Sequence, residues 1–211
     1  MRSKKKLCQN WKIYVITGLS GRKDDALVKI VREAILGGAG AVQLRDKKAT
    51  DSQLLLMARK LLVLTRSAGV PLIINDRIGV AKKSGADGVH LGQKDAGLEE
   101  ARAVLGKEAI IGRSTHSPEQ ALRAQEEGFD YIGIGPVFAT PTKPAYEPVG
   151  LELVRFAAAS IQIPFVAIGG IDEKNAMQVK GAGARTLALV RAVMASENPR
   201  LTVENLCKIM S

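Results

Sequence analysis

Polar and charged side chains follow several apolar segments of this sequence, where predicted strands end. In one segment Gln43, Arg45 and Lys47 alternate, so a strand would place all three on one face. If that face lines an enclosed interior, two buried cations are costly unless an anion pairs with them. A diphosphate meets this requirement, and a structural ion pair of Arg45 with Asp46 or Asp76 is the alternative.

Carboxylates end the next two apolar segments. Asn75 and Asp76 follow one of them, and Asp95 follows the other. Neighbouring parallel strands end on the same side of a sheet, so the two carboxylates should lie close together. Mg²⁺ combines a few carboxylate oxygens with substrate phosphate oxygens. We predict a magnesium site at Asp76 and Asp95. The alternatives are a helix N-cap for Asp76 and a turn for Asp95. The cationic face of Arg45 and Lys47 nearby favours the metal and diphosphate interpretation.

Two further groups of residues could bind phosphate. Ser114 ends a predicted strand with a hydroxyl that can donate a hydrogen bond. Gly169 and Gly170 end the seventh predicted strand, and Val190 and Arg191 end the eighth. In parallel barrels these two loops often hold a phosphate through backbone N–H groups, and glycine lets the backbone approach the anion. The sequence therefore predicts a second, separate phosphate site.

The longest polar loop, residues 135–144, also follows a predicted strand. Thr140, Thr142 and Lys143 give it two hydroxyls and a cation. Long loops on a rigid scaffold usually carry function. We therefore treat residues 140–148 as a candidate lid.

The two histidines are interpreted as structural. His90 lies within a predicted strand and suits a hydrogen-bonded core position, and His116 lies in the loop before Ser117. We find no nucleophile–base pair, no suitable general base and no nicotinamide or flavin motif. A metal–diphosphate site beside a monophosphate site predicts group transfer between phosphorylated substrates with loss of pyrophosphate.

Eight predicted strands alternate with helical patterns. The strands are expected at 12–17, 41–46, 71–75, 88–92, 109–114, 131–137, 164–169 and 186–191. Helical spacing occupies 24–37 and 51–67, Ser117 and Pro118 mark a helix start, and Asp172 is expected to start a helix through 173–181. Strict alternation predicts a single-domain TIM (β/α)8 barrel. A doubly wound open sheet is the alternative, although no Gly-rich dinucleotide turn follows the first strand.

Composition indicates an ordinary globular chain. It has 211 residues, 46% hydrophobic and 25% charged, with a net charge of +10 and a pI near 9.8. We predict a basic disordered tail at 1–10 and the barrel at 11–211, with no stretch apolar enough to span a membrane. Cys8 and Cys207 have no metal-ligand spacing and are expected to be free thiols in a cytoplasm. Scattered basic residues and 4% aromatics argue against nucleic-acid binding. The oligomeric state, monomer or homo-oligomer, stays open.

Segments in order across nearly the whole chain resemble the thiamine-phosphate synthase (thiamine-phosphate pyrophosphorylase) family. The segments that carry the resemblance are Gln43–Lys47, Ile74–Asp76, Gly85–Asp95, Ser114–His116, Gly135–Lys143 and Ala167–Ile171. The resemblance implies condensation of 4-amino-2-methyl-5-(diphosphomethyl)pyrimidine with hydroxyethylthiazole phosphate, giving thiamine phosphate and diphosphate. It also implies that the pyrimidine diphosphate ionises first, with Mg²⁺ assisting, and that the thiazole nitrogen then attacks.

The resemblance assigns each predicted site residue to a ligand. The pyrimidine diphosphate is expected on Gln43, Arg45, Lys47 and Asn75. The metal is expected on Asp76 and Asp95, and the pyrophosphate on Ser114 and Lys143. The thiazole is expected beside Thr140, Pro141 and Thr142, and its phosphate on Gly170, Val190 and Arg191. The residues expected to act on the leaving group are Arg45, Lys47, Ser114 and Lys143.

Two positions depart from the family pattern. Arg191 stands where members often have a small hydroxyl residue, and Arg113 replaces a small or apolar one. Strand alternation should point Arg113 away from Ser114. The nearest alternative function is a thiazole tautomerase or regulator of the same family, which would lose part of the pyrimidine diphosphate set. A nucleic-acid-binding protein is the alternative from another class.

Overall fold

Eight short parallel strands close into one barrel in the computed structural model, which describes residues 8–18, 24–140 and 147–211. Each strand pairs with its neighbours in the chain, and the first pairs with the last. The strands are β1 (Ile13–Ile16), β2 (Ala41–Leu44), β3 (Leu72–Asn75), β4 (Gly88–Leu91), β5 (Ile110–Thr115), β6 (Tyr131–Ile134), β7 (Phe165–Ile168) and β8 (Leu187–Leu189). The predicted single-domain TIM barrel is confirmed.

Helices surround the barrel. They are α1 (Asp24–Leu36), α2 (Asp51–Ser67), α3 (Ile78–Ser84), α4 (Leu98–Leu105), α5 (Pro118–Glu127), α6 (Gly150–Ser160), α7 (Ala176–Gly181), α8 (Arg191–Met194) and α9 (Pro199–Ile209). The last helix packs against α1 and so joins the end of the ring to its beginning. Among the described residues, none of the helices combines the length and apolar content needed to span a membrane.

Local sequence signals define several helix ends. The Ser117 hydroxyl accepts a hydrogen bond from the Gln120 amide at 3.3 Å, and Pro118 occupies the first helical position, as predicted. Gly85 and Gly128 end α3 and α5 in the left-handed conformation, with φ of 73° and 88°. These ends shorten the connections, so each helix returns the chain directly to the next strand.

The helix predicted to start at Asp172 begins later, at Ala176. The Asp172 carboxylate accepts a hydrogen bond from the Lys174 amide at 2.8 Å, and its carbonyl accepts one from Ala176 at 2.9 Å. An Asx-type turn therefore uses this side chain locally and delays the first helical turn.

The packed chain begins before the boundary that the sequence suggested. Residues 1–7 of the predicted tail lie outside the described residues, whereas Cys8–Asn10 form a 3₁₀ helix. Cys8 is only 2% exposed and Trp11 only 3%, because both pack beneath the interior side chains of the barrel. Residues 8–10 therefore belong to the barrel rather than to a tail.

The barrel interior and the layer beneath the helices are separate apolar clusters. Residues that face inward form the interior cluster: Cys8, Trp11, Tyr14, Ile16, Ala41, Ile73, Ile110, Tyr131, Val166 and Ala188. The larger cluster packs the outer strand faces against the helices. Burial of the outer cluster fixes the register of every strand, since a slip by one residue would turn its apolar face inward.

Glycine makes room for the Tyr131 ring at one position and for the backbone of a neighbouring strand at another. A Cβ at Gly112 would lie 2.2 Å from the Tyr131 ring, and one at Gly88 would lie 1.8 Å from the Ile110 carbonyl oxygen. Both distances are far below van der Waals contact. The interior thus depends on glycine on β4 and β5 as much as on tyrosine on β6.

Gly112→Ala is expected to destabilise the fold by about 1–3 kcal/mol, because the added methyl group overlaps the buried Tyr131 ring. The matched control is Gly79→Ala in α3, where the added methyl meets no atom within 4 Å. That variant is expected to be slightly stabilised, by ~0.5–1 kcal/mol. Denaturant unfolding measures both, and equal stability of the two variants would contradict this packing.

Candidate active site

A cavity of about 370 Å³ opens at the C-terminal ends of the strands, and all eight strands contribute to its wall. Ile16, Val166, Ile168 and Val190 give it an apolar part. Eight predicted site residues line this one cavity: Gln43, Arg45, Asn75, Ser114, Thr140, Gly170, Val190 and Arg191. Such a cavity, apolar with a few convergent polar groups, is typical of small-ligand sites.

The end of β2 brings a half-buried cation to the cavity. Arg45 is held there by Thr17, whose hydroxyl accepts from the Arg45 amide at 2.9 Å and donates to its carbonyl at 3.2 Å. The pKa of Arg45 is lowered, because burial of the guanidinium outweighs the favourable fields of Asp76 and Asp46. The nearby carboxylates therefore compensate only part of the burial, which favours the anion-binding interpretation over a purely structural ion pair.

Asp76 and Asp95 come together on the same side of the mouth. Asp76 follows β3 in the left-handed conformation, with φ of 59°, which aspartate tolerates better than most residues. Its amide donates to the His90 carbonyl at 2.8 Å. The Asp95 carboxylate accepts from the Gly92 amide at 2.6 Å. Hydrogen bonds to backbone groups in and just after β4 thus hold the two acidic residues in place.

These two carboxylates oppose each other electrostatically. The pKa of Asp76 is raised, first by burial and then by hydrogen bonding and repulsion from Asp95. Lys47, 3.6 Å away, and Asn75 offset only part of this rise. Among the described residues no third acidic, histidine or cysteine side chain joins the pair in a metal-binding group. Two hard oxygen donors with an uncompensated negative charge suit Mg²⁺, whose remaining ligands would come from water or phosphate.

Ser114 reaches the cavity from β5. Its hydroxyl lies 2.9 Å from Nε2 of His90, and its carbonyl accepts from Nε2 of Gln93 at 2.5 Å. His90 is 8% exposed, and its Nδ1 lies 2.9 Å from the Tyr131 hydroxyl. His90 is a hydrogen-bonded core histidine, as expected, and it also connects the barrel interior to a predicted site residue.

Two buried tyrosines extend this connection to β2. The hydroxyls of Tyr14 and Tyr131 are 2.8 Å apart, and Nε2 of Gln43 donates to the Tyr14 hydroxyl at 2.8 Å. Burial raises the pKa of each tyrosine, so both phenols stay neutral. Sequence reasoning missed Tyr14 and Tyr131. The sequence pattern that could have predicted them is a tyrosine within each of two apolar strands, with glycines on neighbouring strands.

The opposite side of the mouth is built mainly from backbone. Gly169 and Gly170 have φ of 108° and 64°. A Cβ at Gly170 would lie 2.7 Å from the Ala139 carbonyl oxygen, so the loop after β6 requires glycine here for its own packing. Val190 and Arg191 complete this side, and Arg191 is exposed.

Three other sequence predictions can be located. Arg113 points away from Ser114, as expected, since its guanidinium donates to the Ala96 and Gln93 carbonyls and stacks over Phe129. His116 is tied to the backbone through Nδ1 and the Gly135 carbonyl oxygen. The predicted contacts of Pro141, Thr142 and Lys143 lie outside the described residues, as does much of the candidate lid.

The sequence matches a known family over most of its length. The thiamine monophosphate synthase family matches residues 13–193. Thiamine-phosphate synthase of Halalkalibacterium halodurans is 44% identical over 197 residues, which cover 93% of each chain. The synthase of Thermosynechococcus vestitus is 43% identical over 203 residues. This chain covers 57% of that relative and 52% of the one from Gloeobacter violaceus, so it spans about half their length.

A solved structure agrees with these sequence relatives. The thiamine phosphate pyrophosphorylase from Pyrococcus furiosus superposes with a TM-score of 0.87 at 39% identity, covering 97% of each chain.

Asp95→Asn is expected to lower the pKa of Asp76, because it removes a like charge from the pair. A carboxyl group whose pKa is raised by folding stabilises the fold at low pH, and this contribution is lost as the pH rises through the folded pKa. The variant should therefore lose less stability between acid and neutral pH than the unmodified chain. Carboxyl ¹³C NMR titration measures the pKa directly. Asp172→Asn, beyond β7, is the control, and an unchanged Asp76 pKa in Asp95→Asn would contradict the pairing.

Proposed function

This chain belongs to the thiamine monophosphate synthase family, and we propose that it is a transferase that joins 4-amino-2-methyl-5-(diphosphomethyl)pyrimidine to hydroxyethylthiazole phosphate. The products would be thiamine phosphate and diphosphate. The observation that carries the proposal is one cavity with Arg45 on the β2–β5 side, beside Lys47, Asp76 and Asp95, and with a glycine-rich loop, Asp172 and Arg191 on the other side. A cationic side chain on each side suits two phosphorylated substrates.

The pyrimidine diphosphate is assigned to the β2–β5 side. Arg45 and Lys47 would hold the diphosphate, and Gln43, Asn75 and Ser114 offer neutral polar groups beside it. The C–O bond to the diphosphate breaks, and the leaving group departs with the electron pair. Arg45 then faces a more negative partner than before, so its attraction is strongest as the bond breaks.

Mg²⁺ is assigned to Asp76 and Asp95, whose mutual repulsion a divalent cation would relieve. When bound, Mg²⁺ would neutralise charge on the departing diphosphate. Lys47, whose Nζ lies 3.6 Å from an Asp76 carboxylate oxygen, would supply a second positive charge to the diphosphate.

The thiazole phosphate is assigned to the β7–β8 side, with its phosphate near Gly170, Val190 and Arg191 and its ring near Thr140. The ring nitrogen attacks the cationic methylene carbon with its lone pair and forms the new C–N bond. No proton is transferred in this step, so it requires no general base. Apolar wall residues such as Ile168 exclude water, which would otherwise capture the cation.

The family alternative, a thiazole tautomerase or regulator, would need only the β7–β8 side. In this chain the residues assigned to the pyrimidine diphosphate also lie together on the opposite side. Arg45 lines the cavity, and Lys47, Asp76 and Asp95 lie at its edge. This favours the synthase. We further propose a cytoplasmic enzyme with small-molecule substrates, supported by the free thiols of Cys8 and Cys207.

Purified protein is expected to form thiamine phosphate from the two substrates only when Mg²⁺ is present. Asp76→Asn keeps the size and backbone tolerance of the residue but removes its charge, and should lower kcat/KM by about 100-fold. Asp24→Asn, at the exposed start of α1, is the matched control with unchanged activity. Product formation without Mg²⁺ would remove the metal assignment. No product from folded wild-type protein that binds thiazole phosphate would favour the tautomerase or regulator.

Arg191→Ala is expected to raise KM for thiazole phosphate about tenfold, since it removes one charge-assisted hydrogen bond. KM for the pyrimidine diphosphate should change less than about twofold, because Arg191 lies on the other side of the cavity. Arg185→Ala, an exposed arginine at the opposite end of β8, is the control. Steady-state kinetics with each substrate varied in turn separates the two constants. A change confined to the pyrimidine substrate would contradict the assignment.

A further inference from the structure

A continuous hydrogen-bonded chain crosses the barrel interior beneath the cavity. Its members come from five strands, in the order Gln43, Tyr14, Tyr131, His90 and Ser114. The four contacts measure 2.8, 2.8, 2.9 and 2.9 Å. The mechanism proposed above uses only its two ends, and the three interior members have no assigned role.

The direction of this chain follows from its first bond. Nε2 of Gln43 donates to the Tyr14 oxygen, so the Tyr14 proton must go elsewhere. Tyr14 is fully buried, and a buried hydroxyl proton without an acceptor costs ~1–3 kcal/mol. The Tyr131 oxygen is 2.8 Å away and can accept it. Tyr131 then has its own proton to donate, and Nδ1 of His90 is 2.9 Å away.

The histidine transmits this direction to the cavity. A neutral imidazole that accepts at Nδ1 carries its proton on Nε2. Nε2–H therefore donates to the Ser114 oxygen, which leaves the Ser114 proton for another acceptor. Reversing the Tyr14–Tyr131 bond would leave the Tyr14 proton without an acceptor in this chain, and reversing the Tyr131–His90 bond would do the same to the Tyr131 proton.

We propose that His90 is a positioning residue that, held as the Nε2–H tautomer by Tyr14 and Tyr131, turns the Ser114 hydroxyl into a fixed hydrogen-bond donor towards the cavity. The group that Ser114 contacts must then be an acceptor, such as a phosphate oxygen. This identification of the acceptor rests on the proposed function, whereas the tautomer of His90 does not. An oriented donor costs no reorganisation when charge develops on the leaving group.

The first test is the tautomer, read from ¹⁵N NMR of the histidine side chains in the full-length protein without substrates. Nδ1 of His90 is expected to give a pyridine-like signal and Nε2 a pyrrole-like one. In Tyr131→Phe the Nδ1 signal should move towards that of an unbonded pyridine-like nitrogen. The opposite tautomer in the wild type would mean that Gln43 presents its oxygen to Tyr14, and would overturn the proposal.

The second test uses inorganic pyrophosphate with Mg²⁺ as the ligand, so that it does not require turnover. Tyr131→Phe is expected to weaken pyrophosphate binding about tenfold, the effect of one misdirected hydrogen bond. His90→Gln can place an amide N–H where Nε2–H lies and should stay within about threefold of wild type. His90→Asn is too short to reach Ser114 and should lose about tenfold.

Thr65→Val is the control for loss of a buried hydroxyl. Thr65 lies in α2, and its hydroxyl has no hydrogen-bond partner among the described residues, so binding should be unchanged. Equal losses in His90→Gln and His90→Asn would mean that the histidine only fills space, and would overturn the proposal. If the tautomer and the pyrophosphate affinities are as expected but no thiamine phosphate forms, this proposal stands and the synthase function is rejected.

Discussion

The contact between the hydroxyls of Tyr14 and Tyr131 at the centre of the barrel is the constraint on which the site depends. The two rings meet edge to face, with centroids 5.9 Å apart, and Trp11 packs against both at 5.2 Å. Below them the interior is apolar, and above them it opens into the cavity. Because the two phenol groups are buried, they need hydrogen-bond partners, and Gln43 and His90 supply these on the cavity side. The polarity of the cavity floor is therefore a consequence of how the barrel core is filled.

The charged β2–β5 side of the mouth contains groups whose ionised forms are electrostatically unfavourable in the free protein. Burial lowers the pKa of Arg45, and burial together with repulsion by Asp95 raises that of Asp76, so the charged form of each side chain is less favourable here than in water. The outer apolar cluster and the closed sheet provide the stability that tolerates this. Functional sites commonly reduce the stability of a protein, because their charged groups are fully paired only when the ligand is bound. In the proposed function, a divalent cation and a diphosphate supply the opposite charges for these groups.

The sequence predicted the barrel because each β/α unit repeats its own signals, such as the Ser117–Pro118 helix start and the glycine after α3. The parallel order of the strands was also enough to predict that Arg45, Asp76 and Ser114 lie at the same end of the barrel. The delayed helix at Ala176 was missed because the Asp172 side chain closes a local Asx turn instead of starting the helix. The burial of Cys8 was missed because it depends on interior residues that are distant in sequence. The tyrosine chain was missed for the same reason.

The two sides of the mouth are built from different groups, charged side chains on one and glycine backbone on the other. This difference bears on which reaction the site can catalyse. The β2–β5 side relies on charged side chains above a hydrogen-bonded chain, so a single change such as loss of Tyr131 alters a group at the far end, Ser114. The β7–β8 side relies on glycines packed against the loop after β6, with one exposed arginine. A ligand that only binds needs the second arrangement. A group that must leave with two electrons needs the first, because its charge grows during the reaction and only preorganised charges and donors can meet that growth without moving.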